Sequence, residues 1–365
     1  MVYSKPLFPH SSSDSHSTEV QIRSLPPAEA VAIPGPSTLH KMFNGKDGVR
    51  AVWSILIFVA IFAAILATGI FVLRHLYPPP RGSNAVSELS LKFAYVNEFL
   101  FAFAVVLSTW IMSKIERRGR SYGYGGPQRL QMFLAGMGWG VVLISLLVLL
   151  LWKSGRLIVE RRLLFGRDVL RYGVLWLLAF CLVAIFEESI TRGFLLYTLT
   201  RGLTRFYQWA LQTRHSRTLG FWTSAVILSL VFFLGHTDNP GESPVGMLFV
   251  FLVSMFFCFS IWRTGSLWWA VGMHAGWDWG QSFLFGVADS GLTAQHRLLA
   301  THAQGNPLFS GGATGPEGSV LIVGVLALGS LIVILTLPKG RYQAEAADWD
   351  HNQQLPFAAP DFGRS

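Results

Sequence analysis

The chain has 365 residues, of which 52% are hydrophobic and 13% charged, with a formal net charge of +9 and a pI near 9.8. So little charge and so much apolar surface exclude an ordinary soluble domain. The basic balance does not indicate nucleic acid as a partner, because Lys and Arg fall mostly between apolar runs, where membrane topology and anionic headgroups place them.

Residues 1–46 are rich in Ser, Pro and His and predict a disordered cytoplasmic tail. The first apolar run follows without a small-residue cleavage site and reads as a span, not a signal peptide. Eight spans are expected in chain order, at about 50–73, 93–113, 131–152, 169–200, 220–236, 245–262, 266–287 and 318–337. The fold class is therefore an all-α polytopic membrane protein with about eight transmembrane helices and a buried polar site. The organisation is a tail (1–46), three N-terminal helices plus an interfacial segment (47–168), a core (169–290), an outer loop with the last helix (291–337) and a cytoplasmic tail (338–365). The stretch "RLIVERRLLFGR" predicts an amphipathic helix at the interface, and the Gly-rich loop 288–317 predicts irregular structure. Cys181 and Cys258 lie in apolar runs and read as core residues without a disulfide.

With both ends cytoplasmic, inside segments hold Lys114, Arg129, Arg201, Arg205, Arg214, Arg217 and Arg263, while Asp238 lies outside. One loop runs against this count, since Lys153, Arg156, Arg161, Arg162 and Arg167 fall on the outer side. The compact loops point to a bacterial inner membrane.

Ionisable groups inside spans are costly, and so tend to be paired and functional. Three sets stand out. Glu187, Glu188 and Arg192 lie in "FEESITR", His236 in "VFFLGH", and His274 with Asp278 in "HAGWD". Glu188 and Arg192 are four apart on one helix face and suit an ion pair. Glu187 is turned about 100° away and has no local cation. His274 and Asp278 repeat the four-residue spacing. Counted from the cytoplasmic span ends at about 1.5 Å per residue, Glu187, His236 and His274 lie roughly 21, 24 and 17 Å deep. Similar depth on three helices predicts one buried site, opening toward the cytoplasmic face among the fourth, fifth and seventh spans. A carboxylate with histidines suits a general base acting on water, or zinc. No internal repeat or pair of broken helices favours a transporter.

In order along the chain, "EESITR" reads as EExxxR, "FFLGH" as FxxxH from Phe232 to His236, and "HAGWD" as Hxxx(N/D). Together they resemble the CPBP family of intramembrane proteases, which includes CAAX prenyl endopeptidases and Abi-like bacteriocin-processing or immunity proteins. The resemblance covers about residues 169–290. It implies an intramembrane endopeptidase acting on a membrane-associated peptide or protein, with Glu187 as the water-activating base and His236 assisting. His274 and Asp278 would serve an oxyanion site or a metal, with Glu188, Arg192 and Phe232 supporting. The cofactor stays open between zinc, held by Glu187, His236 and His274, and none. Asp278 stands where eukaryotic CAAX members have Asn, and an ionised Asp cannot donate a hydrogen bond. The alternative is a non-catalytic scaffold or immunity protein of the same fold. Substrate identity and oligomeric state are not legible.

Overall fold

A computed structural model describes residues 42–45, 48–76, 88–116, 122–125, 128–239 and 243–339. Both expected tails lie almost wholly outside the described residues.

The fold is helical. Apolar, Pro-free runs form α1 (Ala51–Leu76), α2 (Leu91–Ile115), α3 (Arg129–Lys153) and α4 (Arg167–Glu188). A π-helical segment, Ser189–Leu195, joins α4 to α5 (Leu196–Leu211). There follow α6 (Ser216–Gly235), α7 (Pro244–Thr264), α8 (Trp268–Asp278), a second π segment (Trp279–Leu284) and α9 (Leu321–Thr336). Local chemistry sets several ends. Ser90 and Ser243 cap α2 and α7 by accepting from the Phe93 and Gly246 amides, and Pro244 occupies the first turn of α7. Gly265, at φ 67°, closes α7 in the left-handed conformation.

Each of the eight expected spans finds a helix at its place. Among the described residues six helical stretches are long and apolar enough to cross a membrane. Trp268–Leu284 and Leu321–Thr336 fall short, at about 25 Å each by helical rise. The fourth expected span is longer than its range 169–200, because Arg167–Leu211 runs as 45 continuous helical residues, about 67 Å if straight. Its second half, α5, packs along α6.

The segment expected to be an interfacial helix is instead β2 (Leu157–Arg162), antiparallel to β4 (Leu299–Ala303). Its backbone groups find partners in a strand far away in the chain, and only Leu157 of β2 is buried. β1 (Glu88–Leu89) pairs with β3 (Thr293–Ala294) in parallel. The loop 288–317, expected to be irregular, instead holds two strands, a helical turn at Pro307–Ser310 and most of a 3₁₀ turn at Pro316–Gly318. These pairings tie 88–90, 154–166 and 285–320 into a cap over one face of the bundle. The opposite face carries Lys114, Arg129 and Arg263 at or near helix ends, and Arg201 within α5, paired with Glu116 at 3.2 Å.

The core centres on α3, α7 and α8, with Ile144, Leu147, Ile261, Trp269 and Ala270 at or near zero exposure. α3 and α8 run parallel and touch backbone to backbone. A Cβ at Gly136 would collide with the Trp269 carbonyl, one at Gly140 with that of Met273, and ones at Gly272 and Gly276 with those of Phe133 and Met137. Small residues four apart on both helices permit this approach.

Candidate active site

α4 delivers the two carboxylates. Glu188 is fully buried and pairs with Arg192 at 2.9 Å, four residues on. Glu187, on the neighbouring face, is 24% exposed and lines a cavity of about 380 Å³. The chain turns π-helical directly after Glu188, and again directly after Asp278. Such widened turns are rare and cluster at functional sites. In the first, Gly193 leaves helical geometry at ψ −106°.

Arg192 is 1% exposed and held on all sides. Nη1 donates to Glu188 Oε1 and to Thr191 Oγ1 at 3.0 Å, and Nη2 donates to Ser254 Oγ at 2.6 Å. Its guanidinium lies 4.4 Å from the Phe232 ring centroid and 5.5 Å from that of Phe257. A guanidinium this dry needs its donors met, and ring faces favour the cation.

His274 projects from α8 toward the same carboxylates. Nδ1 lies 2.9 Å from Glu188 Oε1, the oxygen Arg192 also uses. Nε2 lies 3.3 Å from Asp278 Oδ2 and 3.8 Å from Glu187 Oε2. Phe257 stacks on the imidazole at 5.5 Å. Carboxylates thus face both ring nitrogens. His236 caps α6, half-buried, with Nδ1 2.8 Å from the Phe232 carbonyl, and the Phe232 ring rests 4.4 Å from the imidazole. Donation from Nδ1 to that carbonyl leaves Nε2 as the acceptor nitrogen.

The structure therefore brings Glu187, Phe232, His236, His274 and Asp278 to one cavity, with Glu188 and Arg192 packed behind it. Other lining residues are Glu98, Asn239, Ser282, Asp289 and Glu317. Glu98 is legible in the sequence as a carboxylate within a span but belongs to none of the three motifs. Ser229 and Ser254 gave no signal, being lone hydroxyls in apolar helices. Asp289 and Glu317 come from the cap. Burial, then the neighbouring carboxylates Asp278 and Glu317, push Asp289 well above the usual carboxylate range.

The expected opening toward the basic face is not what the structure has. The lining comes from the start of α2, the last part of α4, the end of α6, α7 from Val250 to Phe257, α8 from Met273 onward, Leu326 of α9 and the cap, and neither Arg201 nor Arg263 is among it. The depth count located the level of the site but carried no information on which end of each helix stands open.

The residue types fit zinc, but their arrangement does not. Among the described residues no three His, Cys, Asp or Glu side chains are grouped for a shared metal ion. His274 has committed Nδ1 to Glu188 and turns Nε2 to carboxylates.

Residues 170–280 match the family model for type II CAAX prenyl endopeptidase Rce1-like proteins. The match takes in all three motifs and ends before Ser282 of the second π segment and the cap residues Asp289 and Glu317. No curated protein and no solved structure matches the chain.

Proposed function

We propose that this multi-pass membrane protein, carrying an Rce1-like domain over residues 170–280, is an intramembrane endopeptidase that hydrolyses a peptide bond of a membrane-associated peptide or protein. The observation supporting this reading is the convergence of Glu187, His236, His274 and Asp278, from three separate helices, on one cavity. Glu187 is the base. It takes a proton from water as the oxygen attacks the scissile carbonyl, and the C–O bond forms as the carbonyl electrons move onto oxygen. His274, a donor from Nε2, stabilises that oxyanion. His236 Nε2 accepts from the attacking water and orients it. When the C–N bond breaks, Glu187 returns its proton to the departing amine. Asp278 holds the imidazole in place rather than donating to the oxyanion. Glu188, Arg192 and Phe232 are supporting residues. The bacterial inner membrane, with both ends cytoplasmic, remains the proposed location.

The test is a fluorogenic peptide-cleavage assay on the detergent-purified chain. Wild-type cleavage should fall by about 100-fold or more in Glu187→Gln. Full cleavage by a folded Glu187→Gln protein would refute the assignment. Cleavage surviving a strong chelator leaves the chemistry to the side chains; loss restored by added zinc would bring a metal into it.

A further inference from the structure

Behind the cavity, Glu188 serves two partners with a single oxygen. Oε1 accepts from both Arg192 and His274, while Oε2 is buried and meets no hydrogen-bond partner among the described residues. An arginine beside a carboxylate ordinarily closes a two-armed bond, one nitrogen to each oxygen. Here the second arm is drawn away. Nη2 donates to Ser254 Oγ at 2.6 Å, and Ser254 in turn donates to Ser229 Oγ at 2.8 Å. Ser254 sits on α7 and Ser229 on α6, at 1% and 0% exposure. The two hydroxyls bridge those helices deep in apolar surroundings, where a hydroxyl is retained only against a cost.

We infer that Ser254, backed by Ser229, is a positioning residue that keeps Arg192 one-armed, so that Glu188 is left to fix His274. The inference rests on the role assigned to His274 above. Without the Ser254 hydroxyl, Nη2 has an orphan acceptor within the same carboxylate. Two-armed pairing would rotate that carboxylate and satisfy it, loosening Nδ1 of His274. The groups facing that ring are Glu187 and Glu188 from α4, Arg192 through Glu188, Asp278 from its own helix and Asp289 from the cap.

The experiment reads His274 directly and does not need turnover. Diethyl pyrocarbonate acylates unprotonated imidazole nitrogen, and peptide mass spectrometry separates His274 from His236 in the intact, detergent-purified chain. In Ser254→Ala the His274 acylation rate should rise several-fold, while His236 keeps its rate and serves as the control for folding. Ser254→Thr, which restores the hydroxyl, should return the wild-type rate. Ser229→Ala, one bond further out, should move His274 in the same direction by less. Where cleavage is measured, Ser254→Ala should lower kcat on the order of 10-fold with KM unchanged. An unchanged His274 rate in a folded Ser254→Ala protein overturns the inference, as does Ser254→Thr behaving like Ser254→Ala. Should Ser254→Ala not fold, an unchanged His274 rate in Ser229→Ala overturns it equally. A wild-type chain without proteolysis would count against the proposed function alone, since the acylation result stands apart from it.

Discussion

Replacing Glu188 by glutamine removes the charge that neutralises Arg192 while keeping the side chain's shape. Breaking a buried ion pair from one side costs about 3–5 kcal/mol, because the remaining charge stays dry and uncompensated. Here the cost should sit near the lower end. Arg192 keeps its bonds to Thr191 and Ser254 and its place between Phe232 and Phe257, and a desolvated cation over a ring is worth about 2 kcal/mol. Glu187→Gln is the matched control. Glu187 is one position away and equally within the membrane, but it is 24% exposed and its nearest charged partner is His274 at 3.8 Å. Its loss should cost less than about 1 kcal/mol. Thermal unfolding in a single detergent, followed by far-UV circular dichroism, should rank wild type and Glu187→Gln together and Glu188→Gln clearly below. A double replacement, Glu188→Leu with Arg192→Met, should recover much of the lost stability, since well-packed apolar residues substitute for buried ion pairs. Equal melting of Glu188→Gln and Glu187→Gln would refute the division of labour between the two carboxylates.

Cysteines placed at Asn239 and Ser290 should label from one side of the membrane and cysteines at Arg214 and Arg263 from the other. Only a bulky adduct at the first pair should block cleavage, and blockage from the second pair would refute the position of the cavity. Asp289→Asn should gain stability over wild type at about pH 7 and gain nothing at about pH 3. The sign follows from a folded-state pKa raised by burial, Asp278 and Glu317: stability is lost as pH rises through the ordinary carboxylate value, and Asn cannot ionise. Paired melts at the two pH values check this. Gly136→Ala should destabilise by about 1–3 kcal/mol, because the added methyl meets the Trp269 backbone rather than a side chain that could move. Gly138→Ala, with open space at its Cβ, is the control.

How far the sequence could be read depends on the range of the interaction concerned. The helices were legible because a span is a local property, twenty or so apolar residues in a row. The Glu188–Arg192 pair was legible because it closes within one turn. Glu187, His236 and His274 could be placed at one level because helical rise is regular. The β2–β4 pairing was not, since "LIVERR" and its partner "LATHA" lie far apart in the chain and each alone suits several structures. The π segments were also hidden. Nothing in "SITRGFL" distinguishes an i+5 turn from an i+4 turn until the neighbouring helices are in place. Ser229 and Ser254 acquire meaning only when α6 and α7 bring them to 2.8 Å.

The glycine seam between α3 and α8 settles which wall of the cavity can yield. Carbonyls of α3 rest against Gly272 and Gly276, and carbonyls of α8 against Gly136 and Gly140, with no room for a methyl group at any of the four. A slide of one residue, about 1.5 Å, would drive Cβ atoms of one helix into the backbone of the other. The helix bearing His274 and Asp278 is therefore a fixed jaw. Anyone reshaping the cavity for a bulkier peptide should leave α8 alone and trim the opposite jaw, where Val250 and Val253 on α7 face the same space.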